Sequence, residues 1–198
     1  MRVAAAVLAA GRGERLQGDV PKPLVELGGK PLVTWALEAV RATDLSPVIL
    51  VVGGHGASIA VAAPPGVTIV HASRWHEGIA HSLHAALDAV DGYAQVTALC
   101  VGLADQPFVG PDAYRRLVDA HDAGALLAVA TYDGQRANPV LLARPLWGEA
   151  RGLHGDVGAR ALMDVHPVVE VDCTGTGSPA DVDTIDDLRT LERELGSR

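Results

Sequence analysis

The sequence has 198 residues, a length that suits one α/β domain, and its 48% of hydrophobic residues can bury a sizeable, mainly aliphatic core. Sixteen Lys and Arg against 24 Asp and Glu give a formal net charge of −8, which argues against binding to a nucleic-acid backbone. The negative net charge does not exclude a phosphorylated small ligand, because local cations and backbone N–H groups can form a positive pocket on an acidic protein.

Apolar runs and amphipathic stretches alternate along the chain. Buried strands are predicted at Val3–Leu8, Val48–Val52, Val67–Val70, Val96–Leu103, Leu126–Thr131 and Val168–Val171, with Pro139–Leu142 as a further candidate. Helices are predicted at Leu32–Arg41, His81–Val90, Pro111–His121, Asp156–Val165 and Thr184–Leu195. This order predicts a single three-layer α/β domain over residues 1–198, Rossmann-like, with a mainly parallel mixed sheet. Ligands of such sheets bind at the carboxyl ends of the strands.

The two cysteines, Cys100 and Cys173, lie far apart in apolar stretches and form no CxxC motif. Buried free thiols in a reducing compartment are therefore expected. We find no signal-peptide pattern at the N-terminus and no apolar run of the roughly 20 residues needed to span a bilayer. We therefore expect a cytoplasmic protein that does not contact a membrane.

A cluster of phosphate-binding residue types follows the first predicted strand. Gly11 and Gly13 flank Arg12, so the turn leaves backbone N–H groups open to phosphate oxygens. Arg15 adds a forked donor, and Lys22 lies between two prolines on a stiff backbone. Together these residues predict a polyphosphate-binding loop.

Two acidic segments could hold a divalent metal. Asp105 directly follows the strand Val96–Leu103, which suits Mg²⁺ binding beside phosphate, although a turn or cap role explains an Asp there equally well. Near the C-terminus, Asp183 and Thr184 precede a predicted helix, and one of these residues is expected to be its N-cap. Capping needs only one group, so Asp181 or Asp183 remains to share the metal with Asp105.

The motif order resembles the nucleotidyltransferase superfamily, and within it the molybdenum cofactor cytidylyltransferases. The segments that carry the superfamily resemblance are LAAGRGERL, PKPL, LADQP and VDTIDDL. The segments similar to the cofactor branch are WHEGIAHSL from Trp75, NPVL from Asn138 and GDVGARAL from Gly155. The resemblance spans positions 7 to 188, nearly the whole chain.

The resemblance implies the nucleotide-diphospho-sugar transferase type of fold and Mg²⁺-dependent transfer of CMP from CTP to molybdopterin, with release of pyrophosphate. The residues it assigns to nucleotide binding are Leu8, Ala9, Ala10, Gly11, Arg12, Gly13, Lys22, Gly78, Ser82 and Asp105. Lys22, Arg15 and Asp105 are the expected catalytic residues, and Asp105 and Asp183 the expected metal ligands. The region around Asn138 and residues 155–160 is expected to bind the acceptor.

The sequence is also compatible with other functions. Residues 17–24 resemble enzymes that act on sugar phosphates and isoprenoid precursors, so cytidylyl or uridylyl transfer to a sugar or alcohol phosphate is an alternative. A nucleotide-binding regulator or a molybdenum cofactor chaperone is the non-enzymatic alternative. The cofactor reading also implies a transient contact with a molybdoenzyme or its chaperone. In that family the sequence LAAG, here with Ala10, is typical of CTP enzymes, and LAGG of GTP enzymes.

Overall fold

The computed structural model describes residues 2–11 and 20–196. The strands are β1 (Arg2–Ala9), β2 (Glu26–Leu27), β3 (Lys30–Pro31), β4 (Val48–Val52), β5 (Thr68–His71), β6 (Val96–Leu103), β7 (Leu127–Tyr132), β8 (Gln135–Ala143) and β9 (Val169–Asp172). The α-helices are α1 (Leu32–Arg41), α2 (Gly56–Val61), α3 (Ile79–Asp91), α4 (Pro111–Asp122), α5 (Trp147–Ala150) and α6 (Ile185–Gly196). Short 3₁₀ helices cover Lys22–Leu24, Trp75–Glu77, Arg144–Leu146 and Ala159–Asp164.

Seven strands form one sheet in the order β5-β4-β1-β6-β8-β7-β9. The pairs β5–β4, β4–β1, β1–β6 and β7–β9 are parallel, whereas β8 is antiparallel to both of its neighbours. The sheet is therefore mixed and mostly parallel, as the sequence predicts. In its parallel part β1 lies at the centre, so the chain that follows β1 emerges between those that follow β4 and β6.

Each face of the sheet carries its own layer of aliphatic side chains. On one face, Leu37 of α1, Ile59 of α2 and Leu117 of α4 pack on β1, β4 and β6. On the other face, Leu87 of α3 and Trp147 of α5 pack on the same strands and on β8. Full burial of each such side chain contributes about 1.5–3 kcal/mol relative to exposure, so both helical layers are held by the hydrophobic effect.

A third apolar cluster joins the C-terminal helix to the small β2–β3 hairpin. Leu191 of α6 and the buried Val182 pack against Leu27 and Leu32. Phe108, just beyond β6, lies in the same cluster. This packing draws three distant segments, those around residues 22, 105 and 183, to one edge of the sheet.

Most predicted elements are present, one predicted helix is wrong, and four short elements were not predicted, namely α2, α5, β2 and β3. The α-helix predicted at Asp156–Val165 is wrong: only a 3₁₀ helix forms there, at Ala159–Asp164. Gly155 has a φ of +66° and Gly158 is extended, so the backbone turns before a regular helix can begin. Helix α2 was not predicted, because its six residues are too few to show a helical period. None of the helices within the described ranges is long and apolar enough to cross a membrane.

Both cysteines are free and buried, as predicted. Burial raises the pKa of the Cys100 thiol and that of the Cys173 thiol above the ordinary value. Each sulfur therefore behaves as a small apolar group in the core rather than as a nucleophile.

Candidate active site

The centre of the site is the carboxyl end of β1 and the residues that follow it. The backbone at Leu8 is bonded to the residue that follows β6, since the Ala104 N–H donates to the Leu8 carbonyl at 3.0 Å. Ala10 and Gly11 then pass over the sheet edge and line a cavity there. Arg12, Gly13 and Arg15, which the sequence assigns to phosphate binding, lie outside the described residues.

Lys22 is positioned by a rigid local backbone. Lys22 lies between Pro21 and Pro23 and is the first residue of a one-turn 3₁₀ helix. In this turn the Leu24 N–H donates to the Pro21 carbonyl at 2.8 Å. The next turn is closed by the Val25 N–H, which donates to the Lys22 carbonyl at 3.1 Å. Because proline fixes φ, the lysine stem leaves a well-defined backbone.

The Lys22 ammonium lies between two carboxylates. Its Nζ donates to Asp105 Oδ2 and to Asp183 Oδ1, each at 2.6 Å. The segments that carry these carboxylates are bonded to each other, because the Val182 N–H donates to the Asp105 carbonyl at 2.9 Å. Three residues that the sequence assigns to one site, from three distant parts of the chain, therefore meet.

Helix α6 is capped by residues other than Asp183. Asp187 Oδ2 accepts from the Thr184 N–H at 2.7 Å, and the Asp187 N–H donates back to Thr184 Oγ1 at 3.2 Å. This reciprocal pair satisfies the start of α6 in the manner of a capping box. The Asp183 carboxylate is thereby available to Lys22, while Asp181 lines a separate, larger cavity.

The electrostatics of Lys22 follow from its two partners. Its side chain is only 12% exposed, and burial alone would lower its pKa. The charge of Asp105 and hydrogen bonds to Asp105 and Asp183 outweigh burial, so the pKa of Lys22 is raised above its ordinary value. The lysine is therefore a fixed cation at neutral pH.

The oxygen atoms here suit a hard divalent cation. Asp105 Oδ1 is buried and has no hydrogen-bond partner among the described residues. A buried carboxylate oxygen without a partner is costly, and a bound cation would satisfy it. Residues 2–11 and 20–196 contain no group of three or more His, Cys, Asp or Glu that could hold a metal. Two carboxylates fit Mg²⁺, which takes one or two protein carboxylates and completes its shell with phosphate and water.

Two adjoining cavities open at this edge of the sheet. The first, of about 530 Å³, is lined by Ala10, Gly11, Gly78, Ser82 and Asp105 among others. The second, of about 660 Å³, is lined by Asn138, Asp156, Arg160 and Asp181 among others. The residues that line both are Leu8, Ile79, Leu103 and Asp156. Ligands bound in the two cavities would therefore meet at a shared wall beside Asp105.

A close backbone contact lies beside the first cavity, at Gly78. Gly78 has a φ of +115°, and a Cβ there would overlap the Gly155 carbonyl group. The Ala80 N–H also donates to the Gly155 carbonyl at 3.1 Å, which ties the start of α3 to the 155–160 loop. Ser82, buried in the first turn of α3, lines the first cavity. The start of α3, which lines the first cavity, is therefore held directly against the 155–160 loop.

Comparison with known proteins agrees with this architecture. Residues 5–171 match the model of the MobA-like NTP transferase domain. The chain belongs to this family. It is a nucleotidyltransferase-type protein, and nucleotidyltransferases of this family typically use divalent metals.

Individual relatives resemble the chain over different lengths. The curated protein "Bifunctional protein GlmU" of Geobacter metallireducens is 36% identical over 132 residues, which is 65% of this chain and 27% of that relative. The chain thus spans less than a third of the length of such curated relatives. The crystal structure of Rv0371c from Mycobacterium tuberculosis is 33% identical with a TM-score of 0.85, covering 97% of this chain and 98% of that one. A structure of Rv0371c in complex with manganese is 29% identical with a TM-score of 0.80, covering 98% and 99%.

Some site residues were not predicted from the sequence. Gln106 is buried and links two segments, since it accepts a hydrogen bond from Asn138 at 3.1 Å and donates to the Pro179 carbonyl at 3.0 Å. The Trp75 ring lies so close to Gly53 and Gly54 that a Cβ at either would approach it within 2.8 Å. The position of Gly53 and Gly54 directly after β4 could have suggested that they lie at the site. Their contact with Trp75 could not be predicted from the sequence. Ala9, which the sequence assigns to nucleotide binding, is buried in the layer of α1 and lines the narrow cavity beside Lys22 rather than the two larger cavities.

Proposed function

We propose that this protein transfers a nucleoside monophosphate, CMP from CTP, to the phosphate of an acceptor, molybdopterin, and releases pyrophosphate with Mg²⁺ as the metal. The observation that carries the proposal is the placement of the Lys22 ammonium between Asp105 and Asp183, beside Gly11 at the sheet edge. Retention of both carboxylates favours catalysis over a nucleotide-binding regulator or a cofactor chaperone.

The smaller cavity suits the nucleotide. Its volume of about 530 Å³ is within the range of small-molecule sites, and Gly11 gives it an open backbone for phosphate. In the proposal, Lys22, Arg15 and the N–H groups of the Gly11 turn bind the triphosphate. The first turn of α3, with Gly78 and Ser82, forms the opposite wall.

The larger cavity suits the acceptor. Asn138, Arg160 and the 155–160 loop offer amide, guanidinium and backbone donors to a polar, phosphorylated molecule. Its wall shared with the nucleotide cavity lies near Asp105, where the acceptor phosphate would meet the α-phosphate. Molybdopterin is proposed as that acceptor because the segments from Asn138 and Gly155 resemble the cofactor branch.

The proposed chemistry is an in-line displacement. An oxygen of the acceptor phosphate attacks the α-phosphorus, the bond from that phosphorus to the bridging oxygen breaks, and its electron pair leaves with pyrophosphate. The attacking phosphate is already ionised, so no general base is needed. A divalent metal held by Asp105 and Asp183 would supply charge neutralisation on the reacting phosphates. Lys22 stabilises the charge that develops on the leaving group.

CTP is proposed over GTP because of Ala10. Its side chain is buried at the turn that lines the nucleotide cavity, so its methyl group reduces the room for a purine. One methyl group is worth a preference of about 10- to 200-fold. In Ala10→Gly this preference should shrink.

An acceptor screen with each NTP tests the proposal. Pyrophosphate release is measured with Mg²⁺ and with molybdopterin, sugar phosphates and alcohol phosphates in turn, and CTP and GTP then compete at equal concentration. CMP transfer to molybdopterin is the expected result. Turnover only with a sugar or alcohol phosphate would replace the acceptor, preferential GMP transfer would replace the base, and nucleotide binding without release under any condition would favour the regulator or chaperone.

A further inference from the structure

Two carboxylate oxygens at the site contact the same cation, the Lys22 ammonium. Asp105 Oδ2 and Asp183 Oδ1 both lie 2.6 Å from Lys22 Nζ, and both segments are anchored: Asp105 by its carbonyl bond from Val182, and Asp183 by the capped start of α6. Both carboxylates are therefore presented to one shared point by segments that hydrogen bonds hold in place. In the structure that point is held by the ammonium.

An ammonium and a divalent metal cannot share this position. Mg²⁺ binds carboxylate oxygens at about 2.1 Å, so a metal bridging Asp105 and Asp183 would lie where Nζ lies and would repel it. Metal binding to this pair therefore requires the lysine to leave. The lysine side chain is a flexible stem of four carbons on a fixed backbone, so its ammonium can move while Pro21 and Pro23 stay in place.

The lysine has another place to go once a triphosphate is bound. Lys22 lines a narrow cavity of about 30 Å³ together with Ala10, Gly11, Gly53 and His55. A triphosphate on the Gly11 turn would bring new anionic oxygens to this cavity. Those oxygens can replace the carboxylates as partners of the ammonium, so the buried lysine keeps an anionic partner after it leaves the carboxylates.

We propose that Lys22 is an internal counter-ion that holds the metal position of the nucleotide-free protein and is exchanged for the metal when nucleotide binds. The inference rests on the proposed function, since it takes Asp105 and Asp183 as the metal ligands. It has two consequences. The free protein binds divalent metal weakly, and metal and NTP favour each other's binding, because each relieves the conflict that the other meets at Lys22.

Manganese binding to the nucleotide-free protein tests the exchange directly. Mn²⁺ affinity is measured by isothermal titration calorimetry, with electron paramagnetic resonance of free Mn²⁺ as a second readout, for the wild type and Lys22→Met. Removing the competing cation should tighten Mn²⁺ binding by about 5- to 150-fold, the usual range for coupled sites. An equal or weaker affinity in Lys22→Met would overturn the proposal.

Matched variants make this result specific. Lys30 is the other lysine of the chain and pairs with Glu38 at 2.6 Å instead of with Asp105 or Asp183, so Lys30→Met should bind Mn²⁺ like the wild type. The double variant Lys22→Met with Asp183→Asn should lose the gain. Lys22→Gln, which keeps a donor for one carboxylate, should show the same direction of change and serves if Lys22→Met does not fold by circular dichroism.

Addition of a non-hydrolysable CTP analogue tests the coupling. The analogue should raise the Mn²⁺ affinity of the wild type more than that of Lys22→Met, and an equal rise in both would overturn the coupling. The two proposals fail separately. Absence of pyrophosphate release by the wild type, with tighter Mn²⁺ binding in Lys22→Met, contradicts only the function; normal turnover without that tightening contradicts only the exchange.

Discussion

At the scale of single residues, the site depends on three charged groups that the resemblance assigned to one site, although no pattern in the sequence shows that Lys22 contacts both carboxylates. A carboxylate after β6 and a lysine between prolines are visible in the sequence. Lys22 and Asp183, however, are 161 positions apart, and no periodicity relates them. The choice between Asp181 and Asp183 likewise depends on Thr184 and Asp187, which cap α6 and leave Asp183 to pair with Lys22.

Asp105→Ala should abolish most pyrophosphate release without unfolding the protein. Asp105 holds the proposed metal, and its short polar side chain belongs to none of the three apolar clusters, so its removal costs little packing. Loss of a key electrostatic group predicts a fall in turnover of at least about 100-fold. Asp112→Ala, which removes an exposed aspartate paired with Arg115 at the start of α4, is the control and should keep normal activity. A folded Asp105→Ala protein with near-wild-type turnover would refute the metal assignment.

At the scale of elements, the strongly patterned segments could be predicted and the irregular ones could not. The bounds of α1, β4 and β6 agree with the prediction to the residue, because their apolar periods are unbroken. The segment 156–165 contains apolar residues at helical spacing, yet the turn at Gly155 and its contact with Gly78 decide its shape. Tertiary packing overrides local preference where two loops touch.

Gly78→Ala should damage the site through this contact. A methyl group would overlap the Gly155 carbonyl, and the φ of +115° at Gly78 is itself costly for alanine, by about 1–3 kcal/mol. The variant should melt at a lower temperature and lose activity, because the 155–160 loop must move away from α3. Gly92→Ala, at the other end of α3, is the matched control: its φ is −70° and no atom lies within 4 Å of the added Cβ. Equal melting temperatures and activities in the two variants would contradict this role of the contact.

At the scale of the whole molecule, the topology explains why the site lies where it does. The central position of β1 and the antiparallel β8 place the β1 turn, Asp105 and Asn138 along one edge, with a cavity on either side of the shared wall. Alternating strands and helices predict this edge as the binding side. The larger cavity is lined by the irregular segment around residue 158, so sequence periodicity gives no measure of its shape, and an acceptor there was predicted only by resemblance.

The proposed reaction transfers the α-phosphate with its nucleoside and releases pyrophosphate. Parallel reactions with α-labelled and γ-labelled CTP, Mg²⁺ and the phosphorylated acceptor test it most directly. We expect the α label to move to the acceptor and the γ label to appear in pyrophosphate, in equal amounts and only when the metal is present. Appearance of the γ label on the acceptor or in inorganic phosphate would contradict transfer of the nucleoside monophosphate.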